Sequence, residues 1–554
     1  MQKNKRQNVN NVRSVIRQTV TGYAGLSLGI VLAVAGAIVT ALLPPWILGS
    51  IVDTITAGNA VPVALVILYF AFTVLTGLTE SIREGLLTVF GQKITHALRS
   101  SMMDKYTNLT AGELTKQEPG TIVSRFVGDV DTVENLFTSG IISMFADACK
   151  IISILVVIWL KNRGLAIVLL ILLPFLYWFT RTVQKNMLKA QIENRRAVGR
   201  ASGHVPETLH NIRTIHTLGK ERYMEQRYDE YIAESYRAVD RTNFYDAIYS
   251  PVILILNAVV VAVVMLFSAS GNARVLTLFG MSAGTAVAVI NYISQIFTPV
   301  ESLGMEIQTI QSAIAGVHRI NEFYALEELP ERVRNLETPV ATEEETPFVE
   351  LQNVTFAYED DSREILHHLS FQVYPGEQVT LSGRTGAGKS TVFKLLLGLY
   401  QPGEGKVLIQ GRDAFQIPEN EKRSLYGYVE QTFHRVPGTV KDQITLYDDS
   451  FTMEEVREAA RIAGLDATIE QLEKGYDTPC TSEIFSQGQW QLLSIARAAV
   501  AKPKLLLLDE ITANLDAQTE EEVLQALKRA SEGRTVISIS HRVNAETGRV
   551  ISIS

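Results

Sequence analysis

The first 300 residues alternate between long apolar stretches and charged segments. No charged residue occurs between Arg17 and Asp53, and residues 23–43 are almost continuously apolar. Five further stretches have the same character, and they cover residues 54–79, 136–160, 164–180, 247–273 and 275–300. About 20 helical residues cross the hydrocarbon core of a membrane. Because these stretches lack the alternation of a strand, the pattern predicts six membrane-spanning helices.

Two long charged segments, residues 81–135 and 181–246, separate these apolar stretches, and both are predicted to be helical extensions. At about 1.5 Å rise per residue they reach well beyond the lipid headgroups. Basic residues precede the first apolar stretch, whereas residues 53–62 contain none. This bias predicts a multi-pass protein of the cell membrane whose N-terminus is cytoplasmic, and six crossings place the C-terminus there as well.

Two charged residues interrupt the third apolar stretch. Asp147 and Lys150 lie three positions apart, which places them on one face of a helix. Charges inside a membrane helix are either paired or functional. The sequence is compatible with a structural ion pair and with a pair of residues that lines a substrate path.

The composition divides the chain into two parts. Its 554 residues exceed one ordinary domain, and the acidic excess behind the net charge of −8 lies after residue 326. An acidic second part argues against a nucleic-acid partner, which requires a clustered basic surface. Cys149 and Cys480 are too few for a disulfide framework or a four-ligand zinc site. We predict a transmembrane domain over residues 1–326, a linker over 327–347 and a second domain over 348–554.

The second part contains a phosphate-binding pattern. A short apolar strand, residues 379–382, runs into Gly-Arg-Thr-Gly-Ala-Gly-Lys-Ser-Thr, and an apolar helix is predicted over residues 392–399. This is the strand–GxxxxGK[ST]–helix arrangement, in which backbone amides and a helix N-terminus surround phosphate groups. Lys389 reaches the outer phosphates and the Ser390 hydroxyl ligates Mg²⁺. The candidate residues of this loop are Gly383, Thr385, Gly386, Gly388, Lys389, Ser390 and Thr391.

An acidic pair follows a second buried strand. Residues 505–508 are all leucine, and Asp509 and Glu510 come directly after them. At the carboxyl end of a parallel strand, such a pair lies beside the phosphate loop. Asp509 would hold Mg²⁺, mostly through water, and Glu510 would polarise the attacking water. A third strand, residues 535–540, ends at His541.

Several shorter motifs complete the pattern. Phe-Ser-Gln-Gly-Gln at residues 485–489 precedes a predicted helix, Tyr358 ends Val-Thr-Phe-Ala-Tyr, Gln431 ends Tyr-Val-Glu-Gln, and Asp516 follows Leu515. In this order and spacing the chain resembles an ABC transporter half-unit of the exporter type over nearly its whole length. The resemblance implies an all-α six-helix transmembrane domain followed by an α/β P-loop ATPase domain.

The resemblance also implies roles for individual residues. ATP and Mg²⁺ would bind between two cassettes arranged head to tail, so a second half-transporter is the expected partner. Glu510, His541 and Gln431 would be catalytic, and Ser390, Gln431 and Asp509 would bind the metal. The nucleotide would contact Tyr358, Gly383, Thr385, Gly386, Gly388, Lys389, Ser390, Thr391, Ser486, Gly488, Gln489 and Asp516. Residues 120–131 and 207–221 resemble intracellular loops, with coupling helices expected near residues 112–119 and 206–217.

Some residues depart from the family pattern. Residues 485–489 match the family's marker segment, but this marker has Gln487 where the family prefers glycine. Directly after the marker, Trp490 stands where Arg or Lys is usual. Residues 479–484, just before the marker, lack the glycines common in that loop. An altered marker beside an intact Glu510 favours a heterodimer slightly over a homodimer. Relatives are expected to continue with a further strand and helices, but this chain ends at Ser554. A shortened natural tail and a truncated chain would both have this pattern.

These patterns predict an ATP-hydrolysing exporter of a small molecule, lipid or peptide, working by alternating access as a dimer. Alternatives are an importer of a metal-chelate ligand with the same fold, and a channel or sensor gated by nucleotide. The expected partners are membrane lipid and a transported substrate that the sequence does not identify, with no nucleic acid.

Overall fold

A computed structural model describes residues 11–268, 282–329, 346–358, 363–509, 515–539 and 548–553. The chain divides into two compact units. The first comprises Met1–Thr107 with Glu118–Leu326, and the second comprises Asn108–Gln117 with Glu327–Ser554. Most of the predicted linker and the predicted catalytic residues Glu510 and His541 lie outside the described residues.

Long helices make up the described part of the first unit. In chain order the helices are α1 (Val12–Gly22), α2 (Ala24–Thr56), α3 (Val63–Thr107), α4 (Ala111–Lys116, which groups with the second unit), α5 (Pro119–Lys161), α6 (Arg163–His210), α7 (Ile212–Thr217), α8 (Glu221–Ser268) and α9 (Ala283–Tyr324). Side chains satisfy free amides where several of them begin. Asn162 accepts from the Leu165 amide at the start of α6, and Ser282 does the same for Thr285 at the start of α9.

Each predicted apolar stretch lies mainly on one of α2, α3, α5, α6, α8 and α9. Among the described residues, four segments are long and apolar enough to cross a membrane, on α2, α3, α5 and α9. Shorter apolar segments lie on α6 (Arg163–Leu172) and on α8 (Pro251–Val263). The predicted helical transmembrane domain is confirmed.

The predicted start of the second stretch is wrong. The uncharged run begins at Thr54, but α2 continues to Thr56 and α3 begins only at Val63. Pro62 directly precedes α3, and the residue before a proline is disfavoured in helical conformation. The uncharged run continues through the turn between α2 and α3, so the absence of charge did not locate this turn. The long charged segments are helical as predicted, since α3, α6 and α8 extend far beyond their apolar parts.

The core of the first unit lies where α5, α6, α8 and α9 pack together. Ile154, Leu165, Ile253 and Ile293 are each at most 1% exposed there. At the end of α2, Asp53 accepts hydrogen bonds from the Ser282 hydroxyl at 2.8 Å and from the Gly284 amide at 2.7 Å. The carboxylate thus satisfies an amide in the first turn of α9.

The second unit contains two β-sheets. Strands β1 (Val349–Phe356), β2 (Leu366–Val373), β4 (Glu404–Ile409) and β5 (Arg412–Asp413) form an antiparallel sheet in the order β2-β1-β4-β5. Strands β3 (Gln378–Ser382), β6 (Tyr426–Val429), β7 (Leu505–Asp509), β8 (Thr535–Ile539) and β9 (Arg549–Ser552) form a parallel sheet in the order β6-β7-β8-β3-β9. The predicted α/β class of this domain is confirmed.

Strand β9 corrects one expectation from the sequence. The chain was predicted to end before the next strand of the fold, but Arg549–Ser552 pairs in parallel with β3. Val379 to Leu381 of β3 thereby have paired strands on both sides. No motif follows Arg549–Ser552, in contrast to the equally short predicted strands that lead into the phosphate loop and the acidic pair. Its pairing with β3 shows that these residues form a strand.

Helices pack on the parallel sheet, and the described part of the second unit has two hydrophobic cores. The helices are α10 (Lys389–Leu396), α11 (Glu419–Leu425), α12 (Val440–Thr445), α13 (Met453–Ala463), α14 (Asp466–Glu470), α15 (Gln487–Ala499) and α16 (Ala517–Ser531). Leu505 and Leu507 belong to one hydrophobic core, whereas Leu506 and Leu508 belong to the other. Successive strand residues point to opposite faces, so an all-leucine strand is typical of a sheet that is covered on both sides.

Candidate functional site

The phosphate loop connects β3 to α10 as predicted. Gly386 has a φ of +85° and Gly388 a φ of +92°, conformations that side chains with a Cβ rarely adopt. A Cβ on Gly388 would also lie 2.6 Å from Leu366 Cδ2, and one on Gly383 would lie 2.4 Å from the Ile553 carbonyl. These contacts explain why the loop needs glycines at these positions. Helix α10 begins at Lys389, three residues before the predicted start, because Gly388 caps it.

Lys389 is only 5% exposed. Its Nζ donates to the carbonyl oxygens of Gly383 at 2.9 Å and Arg384 at 3.0 Å. The ammonium therefore lies over the loop rather than extending into solvent. A buried positive charge beside left-handed glycines and a helix N-terminus is an environment that favours an anion such as a phosphate group.

Two hydroxyl groups of the loop pattern, those of Ser390 and Thr391, lie in the first turn of α10. Ser390 is exposed in the first turn of α10, whereas Thr391 is buried. Thr385 and Gly386 are exposed, and a Cβ on Gly386 would meet nothing within 4 Å. The backbone at Gly386 therefore leaves room for a ligand to approach. The accessible backbone at Gly386, the Lys389 ammonium and the Ser390 hydroxyl together fit a nucleoside triphosphate with Mg²⁺.

Asp509 ends β7 at the same sheet edge as the phosphate loop. It pairs with Ile539 of β8, and Ile539 pairs on its other side with Leu381 of β3. One strand therefore separates Asp509 from the strand that leads into the loop, a spacing that the sequence did not reveal. The strand between them is the one that precedes His541.

A tyrosine to which the sequence assigned no role contacts Asp509. Tyr428 lies on β6, and its hydroxyl donates to Asp509 Oδ2 at 3.4 Å. Burial raises the pKa of the Tyr428 phenol, and the charges of Asp509 and Glu430 raise it further. The phenol therefore stays protonated at neutral pH and remains a donor to this carboxylate.

Tyr358 follows β1 and lies in an aromatic group. Its ring meets that of Phe356 at 5.0 Å and that of Tyr400 at 5.3 Å between centroids, both edge to face. The Tyr358 hydroxyl lies 3.2 Å from Thr391 Oγ1 and 3.2 Å from Lys394 Nζ. Tyr358, which is predicted to contact the nucleotide, is thus held against the first two turns of the helix that follows the phosphate loop.

The marker segment forms the start of α15. Ser486 is its N-cap and makes a capping box with Gln489: the Ser486 hydroxyl accepts from the Gln489 amide, and Gln489 Oε1 accepts from the Ser486 amide at 2.9 Å. Gln489, predicted as a nucleotide contact, therefore also has a local structural task.

Gly488 of the marker lies against the first turn of α16, the helix that Asp516 caps. A Cβ on Gly488 would lie 2.0 Å from Thr519 Cγ2. Thr519 is fixed in turn by Asp516, the N-cap of α16, whose Oδ2 accepts from Thr519 Oγ1 at 2.7 Å. These hydrogen bonds lower the pKa of Asp516. The structure thus brings together two motifs that are 28 positions apart in the sequence.

Gln431 follows β6 and is exposed. Its carbonyl oxygen accepts from Nε2 of Gln491 at 2.6 Å, which attaches the loop to the second turn of α15. No sequence pattern indicated Gln491 or this contact. The structure therefore brings Gln431 to the marker helix, whereas the positions of Glu510 and His541 lie outside the described residues.

Two family models match the chain. Residues 26–300 match the ABC transporter transmembrane region, and residues 366–513 match the ABC transporter model. A solved structure of a bacterial Atm1-family ABC exporter with ATP bound superposes with a TM-score of 0.76 at 25% identity, covering 96% of this chain and 93% of that one.

Curated relatives agree with these matches. An ATM1-type heavy metal exporter of Novosphingobium aromaticivorans is 30% identical over 91% of this chain and 83% of its own length. A fatty acid ABC transporter ATP-binding/permease protein of Mycobacterium bovis is 29% identical over 83% of this chain and 72% of its own length. An uncharacterised ABC transporter ATP-binding protein of Bacillus subtilis is 28% identical over 94% and 85%.

The chain belongs to the ABC transporter family. Its membrane region precedes a single cassette, as in half-transporters, and its similarity to the Atm1-family structure makes it an exporter of that type. It is a multi-pass membrane protein, and its cassette is of the kind that binds ATP and drives transport.

Proposed function

We propose that this protein hydrolyses ATP at a site shared between two half-transporters and uses the reaction to export a small molecule, lipid or peptide by alternating access. The observation that carries the proposal is the phosphate loop. Buried Lys389 and the left-handed glycines lie at the same sheet edge as Asp509, in a chain that also contains membrane-length helices.

Each predicted residue has a proposed task in this reaction. Lys389 binds the outer phosphates, and the loop amides after Gly383 bind the remaining oxygens. Tyr358 stacks on the adenine ring. Glu510 orients and polarises the attacking water, and His541 contacts the terminal phosphate. Thr385, Gly386, Gly388 and Thr391 shape the loop and its helix.

Three side chains have the right chemistry for a hard metal ion: the Ser390 hydroxyl, the Asp509 carboxylate and the Gln431 amide oxygen. When bound, Mg²⁺ would neutralise the charge that develops on the phosphate oxygens. Tyr428 supports this assignment, because its hydrogen bond orients the Asp509 carboxylate.

The second half of each site is proposed to come from the partner chain. Ser486, Gly488, Gln489 and Asp516 would face the nucleotide that the other cassette holds. The capped start of α15 supports this role, since a helix N-terminus with a serine cap is suited to a phosphate group. The altered marker favours a partner with a different sequence over a second copy of this chain.

The placement in the membrane is also part of the proposal. We assign residues 1–326 to the transmembrane domain, 327–347 to the linker and 348–554 to the cassette, with both termini in the cytoplasm. Helices α4 and α7 would be coupling helices, because they are short, polar connections near the predicted positions.

The names of two relatives suggest the first substrates to test. One relative is named for heavy metals and another for fatty acids. We therefore propose heavy-metal ions and fatty acids as the first transport probes for proteoliposomes that contain the full chain, alone and with a candidate partner half-transporter.

The decisive experiment combines hydrolysis with transport in these proteoliposomes. We expect Mg²⁺-dependent ATP hydrolysis and uphill movement of a probe, with Lys389→Ala and Glu510→Gln losing both activities. Glu510→Gln should still bind ATP, whereas Lys389→Ala should bind it much more weakly. ATP-dependent conductance without uphill accumulation would show a nucleotide-gated channel, and uptake in the opposite direction would show an importer.

A further inference from the structure

A group of aromatic and arginine side chains joins the loop of Gln431 to helix α15. The rings of Phe433 and Trp490 stack at 5.2 Å between centroids with 25° between their planes. Phe485 meets the other side of this group, edge to face with Trp490 at 5.2 Å. Arg435 lies 5.7 Å from the Trp490 ring, and Arg497 lies 4.1 Å from the Phe433 ring. We name these five side chains the Trp490 cluster.

Hydrogen bonds fix the same loop to the same helix. Gln491, only 7% exposed, donates to the Gln431 carbonyl at 2.6 Å, and Arg497 donates to the His434 carbonyl at 2.9 Å. Burial lowers the pKa of Arg497 to about 10, so its guanidinium stays charged at neutral pH. Stacked aromatic pairs and cation–π contacts add stabilisation beyond their buried area. The loop is therefore held at several consecutive residues.

The cluster also lies next to the marker. Ser486 caps α15, Phe485 immediately precedes it, and Trp490 follows one helical turn later. Gln431 and Ser486, the residues with the proposed metal and phosphate contacts, are thus both attached to the first two turns of one helix. The aromatic side chains of the cluster belong to neither the phosphate loop nor the predicted metal ligands.

We propose that Trp490 is a positioning residue of the ATPase: its stack on Phe433 makes the Gln431 loop and the marker Ser486 move as one body. The inference rests on the proposed function of the nucleotide site. Loss of the stack leaves ATP bound by Lys389 and the phosphate loop, but it separates the movement of Gln431 from that of Ser486. Turnover then falls while ATP affinity does not.

The first test uses full-length protein in lipid nanodiscs, with its partner where one is required. We expect Trp490→Leu and Phe433→Leu each to lower kcat about tenfold, with the Kd for ATP changed less than twofold. Trp490→Phe keeps a stack and should stay within about threefold of the wild type. Tyr374→Leu, an aromatic truncation outside the cluster, is the matched control. The double variant Trp490→Leu/Phe433→Leu should be no slower than either single variant.

Multiplying losses in the double variant would overturn the proposal, as would an ATP affinity that falls in step with kcat. A purely structural role would lower Tm and the folded fraction while kcat per folded molecule stays unchanged, and this result would overturn it as well. Rescue by Trp490→Phe distinguishes a requirement for stacking from a requirement for volume at this position.

A second test does not depend on turnover or on a stable leucine variant. Trp490 is the only tryptophan in residues 348–554, so the emission difference between wild type and Trp490→Phe isolates its signal. We expect a shift of that signal when Mg²⁺ and a non-hydrolysable ATP analogue are added together, and none when EDTA replaces Mg²⁺. An identical signal in both conditions would overturn the inference. A wild type that hydrolyses no ATP would refute the proposed function, while this measurement would still decide the role of Trp490.

Discussion

The phosphate loop and the marker segment are two parts of the predicted nucleotide site, and different forces hold them in place. The loop is determined by its backbone: Gly386 and Gly388 adopt left-handed conformations, and the Lys389 ammonium bonds to main-chain carbonyls. The marker is determined by side-chain packing. Ser486 caps its helix, and Trp490 stacks on Phe433.

This difference explains why the sequence pattern is complete in one segment and altered in the other. A backbone conformation that only glycine adopts easily leaves few alternatives at its position. A packed helix start accepts other residues when neighbouring side chains supply the contacts. The unusual Trp490 has such neighbours in Phe433 and Phe485, so the departure from the family pattern coincides with a well-packed site.

The largest effect is expected at Lys389. Lys389→Ala should weaken ATP binding about 100-fold, because it removes a buried charge that would pair with phosphate. Equilibrium binding of ATP to full-length protein measures this loss. Lys406→Ala, an exposed lysine of β4, is the control and should bind ATP like the wild type. Equal affinity for both variants would contradict the assignment of the phosphate loop.

A glycine of the marker should affect turnover rather than binding. Gly488→Ala should lower kcat about 30-fold, because the new Cβ collides with Thr519 and displaces the start of α15. Thr519→Ser removes the colliding methyl group but keeps the hydroxyl that bonds to Asp516. The double variant Gly488→Ala/Thr519→Ser should therefore recover most of the activity, and failure of this rescue would argue against the contact.

A pair of glycines separates backbone strain from ligand approach. Gly386 and Gly376 both have positive φ values, +85° and +75°, and a Cβ on either would meet nothing within 4 Å. Both alanine variants should lose similar stability. Gly386→Ala should also weaken ATP binding about tenfold, because the new methyl group occupies the approach to the loop backbone. Equal ATP affinities would show that nucleotide does not approach at Gly386.

The smallest expected effect is a dependence of thermal stability on pH. Hydrogen bonds from Thr519 lower the folded-state pKa of Asp516, so its carboxylate contributes stability that is complete above the unfolded value, about 3.8. This contribution is lost as the pH falls through the lower folded value. The Tm of the wild type should therefore exceed that of Asp516→Asn near neutral pH, and the gap should narrow below about pH 4. A gap that is constant with pH would argue against an ionised cap.

The sequence predicted most of the fold. Each apolar stretch lies mainly on one described helix, and the long charged extensions and the strands β3, β7 and β8 appear where their patterns indicated. The turn between α2 and α3 was missed because uncharged residues continue through it. Strand β9 was missed because no motif follows it, whereas motifs follow the similarly short strands β3 and β7.

The sequence predicted the motifs of the site but not the contacts that join them. Tyr428, Gln491 and Thr519 contact predicted residues, yet the sequence assigned no role to any of them. Tyr428 was only the first residue of the Tyr-Val-Glu-Gln motif, and the other two belong to no motif. Their partners Asp509, Gln431 and Gly488 are each at least 31 positions away along the chain. A contact between distant positions leaves no local pattern. Trp490 was noted only as a departure from the family pattern, and its partner Phe433 was not indicated at all.

The sequence by itself determined the local features of this protein: the membrane helices, the glycines of the phosphate loop and the order of the nucleotide motifs. Each follows from hydrophobicity or backbone conformation over a few neighbouring residues. Only the tertiary structure decided that β8 separates Asp509 from the phosphate-loop strand, that Gly488 packs on Thr519, and that Trp490 holds the Gln431 loop. These depend on which strands pair and which side chains meet in three dimensions, because strand order and side-chain packing join residues that are distant in the chain.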